Sequence, residues 1–150
     1  MIPLLNTINC KNCLIEIPPS RYYGLQKNCE FPLCIKCYSS LKHKIKRAGK
    51  LTRALYFLLR EKQIPAQLEE FDGYKTIDIS IEDAKLHIEV DGDHHNLKSN
   101  QALTDLKRTY HSIKEGIYTL RIPNSLVREK MKEASTYVIE IIKLRQKKAG

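Results

Sequence analysis

Residues 74–95 read "YKTIDISIEDAKLHIEVDGDHH", and the alternation within them decides the fold. Side chains on a strand point to opposite faces in turn, so Ile77, Ile79 and Ile81 share one face and leave Asp78 and Ser80 on the other. In the next run Leu86, Ile88 and Val90 share a face, opposite Lys85, His87, Glu89 and Asp91. Glu82-Asp83 divides the two runs, and pairing them as a hairpin brings Asp78, Glu89 and Asp91 to one surface. Carboxylates so close repel one another unless a cation lies between them. Hard oxygen donors in this number favour Mg²⁺ or Mn²⁺, which takes one or two protein carboxylates and neutralises charge at a phosphorus centre. Gly92 permits a sharp turn, and His94 and His95 follow it as either a solvated pair or a second Zn²⁺ site.

Around this hairpin the elements follow in a simple order. "LTRALYFLLREKQ" carries Leu51, Leu55, Leu58 and Leu59 at helical spacing, and Pro65 ends it. "AQLEEF" is a first strand, closed by the Asp72-Gly73 turn. "QALTDLKRTYHSIKEG" is a helix with Leu103, Leu106, Tyr110 and Ile113 on one side and Gly116 as its stop, and "IYTLRI" is a fourth strand. After Pro123 one long amphipathic helix is expected through Leu126, Met131, Ala134, Val138, Ile141 and Ile142 into the basic "RQKKAG" tail. The order is αβββαβα, an α/β mixed sheet flanked by helices.

The N-terminal third is organised differently. "CKNC" supplies Cys10 and Cys13, "CIKC" supplies Cys34 and Cys37, and Cys29 stands between the pairs. Two CxxC knuckles suit one tetrahedral Zn²⁺, because thiolates three residues apart on a tight turn reach the same ion at about 2.3 Å. An odd cysteine total argues against a disulfide framework. Cys29 is either a spare thiol or a substitute for Cys34. "RYYGLQKN" between the knuckles reads as a short hairpin, and "YSSLKHKIKRAGK" reads as a basic helix capped by its serines. A knuckle, a hairpin and a second knuckle opening a helix resemble a treble-clef or ribbon-type zinc finger. So small a segment cannot hold a fold by burial alone, and the metal supplies the missing stability. We place the finger at residues 1–48 and the α/β domain at residues 49–150.

The formal net charge is +9 over 150 residues, unevenly spread: residues 1–50 hold nine Lys/Arg against two acids, residues 51–125 ten against twelve, and residues 126–150 seven against three. Basic ends attract polyanions by counterion release, which makes nucleic acid the expected partner. Arg21, Lys27, Lys42, Lys44, Lys46 and Arg47 are the candidate phosphate contacts near the finger. No apolar run approaches the roughly 18 residues that span a bilayer, and the first residues do not form a signal peptide, so a cytoplasmic protein without membrane association is expected. The oligomeric state is open, a homodimer included.

Asp78, the "IEVDG" of Ile88 to Gly92 with His95 behind it, "DLKR" at Asp105 to Arg108, and "GIYTLRIPN" at Gly116 to Asn124 resemble the very-short-patch-repair-like endonuclease domains of the PD-(D/E)XK nuclease superfamily. The similarity covers roughly residues 50 to 143. It implies a restriction-endonuclease-like core and a Mg²⁺-dependent DNA endonuclease or nickase. Asp78 and Glu89 become the metal-binding carboxylates, Asp91 a further catalytic acid, and His95 a neighbour of the scissile phosphate. Arg108 or Arg121 would meet phosphate or brace the acids. Two positions depart from the pattern. Asp91 stands where the superfamily has a lysine, which leaves Lys85 or Lys98 to supply that charge, and Thr52 falls where relatives often carry a glutamate. A metal-dependent DNA nuclease with a DNA-binding zinc finger is therefore expected; the alternatives are a non-catalytic DNA-binding protein on the same fold, or an RNase.

Overall fold

The computed structural model describes residues 7–19, 21, 30–91 and 99–150. At its N-terminal end two short strands, β1 (Ile8–Asn9) and β2 (Glu16–Ile17), pair antiparallel on either side of the first cysteine knuckle. Most of the expected hairpin between the knuckles, with Lys27 and Cys29, lies outside the described residues. Helix α1 (Ile35–Arg47) opens inside the second knuckle. The expected serine cap is not used: Cys34 is the N-cap, its Sγ accepting the Cys37 N–H at 3.4 Å, while Ser40 lies within the helix and donates to the Cys37 carbonyl. One thiol thus both faces the cluster of cysteines and satisfies an orphan helix donor.

Helix α2 (Lys50–Glu61) follows after Gly49 and ends ahead of Pro65. Its Leu55, Tyr56, Phe57 and Leu59 are buried, and Thr52 is buried with them. Three strands come next: β3 (Gln67–Phe71), β4 (Thr76–Ile81) and β5 (Leu86–Asp91). In the β3–β4 connection Asp72 Oδ1 accepts the N–H groups of Tyr74 and Lys75, each at 2.8 Å, and Gly73 takes a φ of 94° that suits its missing side chain. Helix α3 (Ser99–Lys114) leads to β6 (Tyr118–Pro123). The four strands form one sheet in the order β3-β4-β5-β6, antiparallel except for the parallel β5–β6 pair.

The aliphatic face of the hairpin does what its alternation predicts. Ile79, Ile81, Leu86 and Ile88 are fully buried and join Leu55, Phe57 and Leu59 of α2 in one core. Burying each such side chain is worth about 1.5–3 kcal/mol, so this face anchors the sheet. The cysteine segment enters the same core through Cys10, Ile17 and Leu33.

Two helices differ from expectation. Leu103, Leu106, Tyr110 and Ile113 do lie along one side of α3, but that side faces outward and all four are exposed; the polar side, with buried Ser112 and half-buried Arg108, turns inward. The expected final helix is broken at Lys130 (φ −135°, ψ 42°) into α4 (Asn124–Glu129) and α5 (Met131–Ala149). Val138 and Ile142 of α5 enter the core, and Arg145 Nε donates to the Ala84 carbonyl at 2.9 Å, tying the helix to the β4–β5 turn. Among the described residues no helix is long and apolar enough to cross a membrane.

Candidate functional site

Strand register places the acids. Pairing of Ile79 with Ile88 sets Asp78 beside Glu89 one residue further along, and Glu89 in turn pairs with Arg121 on β6. Asp91 follows Glu89 on the same face. On the other side, Leu68 opposite Ile79 and Glu70 opposite Ile77 leave Glu69 level with Asp78, with an unusual positive φ of 49°. Glu69, Asp78, Glu89 and Arg121 therefore form one row across the sheet.

The row is not left to repel itself. Glu89 Oε1 is ion-paired with Lys75, both side chains nearly buried at 13% and 11% exposure, and Arg121 Nε lies 3.4 Å from Glu89 Oε2 and 4.0 Å from Asp91 Oδ2. The cation that crowded carboxylates require is supplied here by the chain itself. Asp78 Oδ2 accepts the Val90 N–H at 2.9 Å. Burial pushes the Asp78 carboxyl above the usual carboxylate range, with the negative charge of Asp91 adding to it, against the pull of the Val90 N–H and Lys75. Burial likewise holds the Lys75 ammonium below its ordinary value, helped by Arg108 and Arg121. Glu69 is pushed up by burial and by Asp78. Lys75, Thr76, Asp78, Glu89, Asp91 and Arg108 line a cavity of about 250 Å³. Arg108 pairs with Asp105 at 3.5 Å, while its Nε is enclosed without a hydrogen-bond partner among the described residues.

Of the sequence-selected residues, Asp78, Glu89, Asp91, Arg108 and Arg121 come together. His95, His94 and Lys98 lie outside the described residues. Lys85, at the far end of β5 with a φ of 45°, is no neighbour of Glu89. The lysine that reaches the acids is Lys75, which the sequence did not single out. Counting back from Ile77 by alternation assigns Lys75 to the aliphatic face; the bend at residues 73–75 overturns that assignment, and no local signal announces it. Glu69 was missed because its partner row exists only once three strands are in register. The donor chemistry suits a hard divalent cation, since two adjacent carboxylates from neighbouring strands are the protein share that Mg²⁺ ordinarily takes.

The cysteines form a second, tighter cluster. The Sγ atoms of Cys10, Cys13, Cys34 and Cys37 all lie within 4.8 Å of one another, and Cys13 and Cys34 are 3.7 Å apart. Four sulfurs around one tetrahedral ion at about 2.3 Å are themselves about 3.8 Å apart, so the arrangement is compatible with a zinc site. Among the described residues no other group of three or more His, Cys, Asp or Glu gathers this closely. Cys10 is held down at about 7, since N–H donation from Cys34, Cys13 and Asn12 outweighs its burial, whereas burial pushes Cys37 up to about 12. Four thiolates cannot coexist here without a cation. Asn12 braces the knuckle: its Nδ2 donates to Cys37 Sγ, its Oδ1 accepts from Tyr56 at 2.6 Å, and its carbonyl accepts from Arg60 Nε and Nη2.

The candidate phosphate contacts near this cluster are mixed. Lys42, Lys46 and Arg47 are exposed on α1 and Arg21 is exposed before it, while Lys44 is engaged by Glu70 of β3.

A mixed sheet of four strands with helices around it, one aliphatic face in the core and a row of acids on the other, defines an α/β fold. The chain is similar in structure to a homing endonuclease catalytic domain, that of I-Bth0305I, with a TM-score of 0.54 and 15% sequence identity over 65% of this chain and 98% of that one. At that identity the likeness shows a shared fold. No protein-family profile matches the chain, and no curated protein matches it in sequence.

Proposed function

We propose that this protein is a metal-dependent DNA endonuclease or nickase of the very-short-patch-repair-like PD-(D/E)XK kind, built as a nuclease domain (residues 49–150) with an N-terminal zinc module (residues 1–48) that helps hold DNA. The observation that carries the reading is the shared cavity: Asp78, Glu89 and Asp91 face it together with Lys75 and Arg108, so acids for a cation and cations for a phosphate meet in one place. Likeness in fold to a homing endonuclease catalytic domain supports the same conclusion.

Asp78 and Glu89 would hold Mg²⁺ or Mn²⁺, which when bound neutralises charge at phosphorus and acidifies a water. The chain's own groups do the rest. Arg108, which lines the same cavity, would bind a non-bridging phosphate oxygen. Arg121 orients Glu89 and Asp91. Lys75, with its lowered proton affinity, holds Glu89 and would protonate a leaving oxygen. His95 remains the candidate beyond Asp91. The cysteine quartet would hold Zn²⁺ as a structural staple, presenting Lys42, Lys46 and Arg47 to the DNA backbone.

Supercoiled plasmid incubated with the protein and Mg²⁺ or Mn²⁺ should become relaxed or linear. Failure with both metals would leave the second reading, a DNA-binding protein without catalysis, which one observation favours: Glu89 is already satisfied by Lys75 and Arg121. Matched DNA and RNA substrates separate the DNase from an RNase.

A further inference from the structure

Beside the acidic cavity lies a larger one of about 470 Å³, between α3 and the same face of the sheet, and the two share Lys75 and Arg108. Its inner wall holds His87, only 8% exposed, whose Nδ1 has no hydrogen-bond partner among the described residues. A buried polar atom left without a partner costs free energy unless a ligand satisfies it. Ser80 and Ser112 line the cavity beside it, and the half-buried Ile117 supplies apolar surface. At the outer edge the exposed Tyr74 and His111 lie with their rings 5.3 Å apart.

We propose that this cavity receives one unstacked base of the substrate strand, the phosphate of the same nucleotide lying against Lys75 and Arg108. The inference rests on the nuclease reading and adds a base subsite to it. A volume of this size is that of a small-ligand pocket. Asp72, Glu82 and Glu115 line it against Lys75, Lys85 and Arg108, so the lining carries no formal net charge and suits a neutral heterocycle. A base edge offers both donors and acceptors, so either tautomer of His87 is satisfied by it. The rings of Tyr74 and His111 supply a surface on which any base stacks. His87 and Glu89 are two residues apart on β5, about 6.6 Å, a separation that one nucleotide spans.

The test titrates the full chain, without divalent metal, with deoxyadenosine 5′-monophosphate and separately with 2-deoxyribose 5-phosphate, following the imidazole NMR signals of His87 and His111. The nucleotide should bind about tenfold tighter than the sugar phosphate, in line with a stacked base, and should shift both imidazoles. Ser112→Phe, which fills the cavity, should erase the difference; the double variant Tyr74→Ala/His111→Ala, at exposed positions that the fold does not need, should reduce it severalfold while sugar-phosphate binding stays unchanged. Equal binding of the two ligands, or a base preference that survives the double variant, overturns the proposal. Plasmid cleavage without base preference sinks the subsite alone. Base preference without cleavage under Mg²⁺ or Mn²⁺ sinks the nuclease reading and leaves a nucleotide-binding cavity.

Discussion

Among the described residues lie two clusters of potential metal ligands, and they balance charge in different ways. The Sγ atoms of the four cysteines stand within 4.8 Å of one another, and the side chain that donates to them is the neutral amide of Asn12, on Cys37. The carboxylates of Asp78, Glu89 and Asp91 share their space with Lys75 and Arg121. Softness of the ligands accounts for part of the contrast, since thiolates bind Zn²⁺ far more strongly than carboxylates bind Mg²⁺. Tolerance of the bare state accounts for the rest. On the proposed reading the first cluster would need an ion in order to fold, whereas the second is already balanced by the chain's own cations.

The largest effect should therefore come from the cysteines. We expect about one zinc per chain, and Cys13→Ser or Cys34→Ser should lose it and unfold the N-terminal segment, because binding of a structural zinc is worth about 10 kcal/mol or more. Metal analysis and thermal melts check this; both variants keeping a full complement of zinc would erase the contrast between the clusters.

Next in size is Glu89→Gln. Cleavage should fall by on the order of 10²-fold or more while DNA affinity survives, measured by plasmid assay and by binding in Ca²⁺. From repulsion alone the neutral amide should stabilise the fold. The Lys75 and Arg121 pairs reverse that sign: the variant leaves a nearly buried ammonium without its carboxylate and should cost about 2 kcal/mol. A denaturant midpoint equal to or above wild type would show that the acids are balanced by something other than Lys75.

DNA affinity should fall with salt by a logarithmic slope of roughly 0.9 per phosphate contacted, and Lys46→Ala with Arg47→Ala should reduce the slope by about two such contacts without changing cleavage at saturation.

The smallest effect concerns Asp78. Its folded-state carboxyl titrates above the ordinary range, so the folded chain holds that proton more tightly than the unfolded one, and its ionisation lowers stability as pH rises through the window between the two values. In metal-free buffer Asp78→Asn, which keeps an acceptor for the Val90 N–H, should be slightly more stable than wild type above that window and level with it below. Added Mg²⁺ should remove the advantage. An advantage independent of pH would point to packing instead of charge.

Much of this was determined by the chain's own alternation and spacing. Ile77, Ile79 and Ile81 against Leu86 and Ile88 announce two strands and an aliphatic face, because period two is the direct consequence of strand geometry, and two CxxC knuckles announce their cluster because a tight turn sets the reach of each thiol. Tertiary structure alone decided the rest. Lys75 enters the acidic cavity through a bend that no periodicity predicts, and Glu69 joins the row only when β3, β4 and β5 are in register. The apolar stripe of Leu103, Leu106, Tyr110 and Ile113 marks a helix but not which way it turns. Here the polar side faces the sheet, because His87, Ser80 and the acids already lie on the surface that α3 approaches. Local sequence sets the period of a segment; which neighbours that period meets depends on contacts far along the chain.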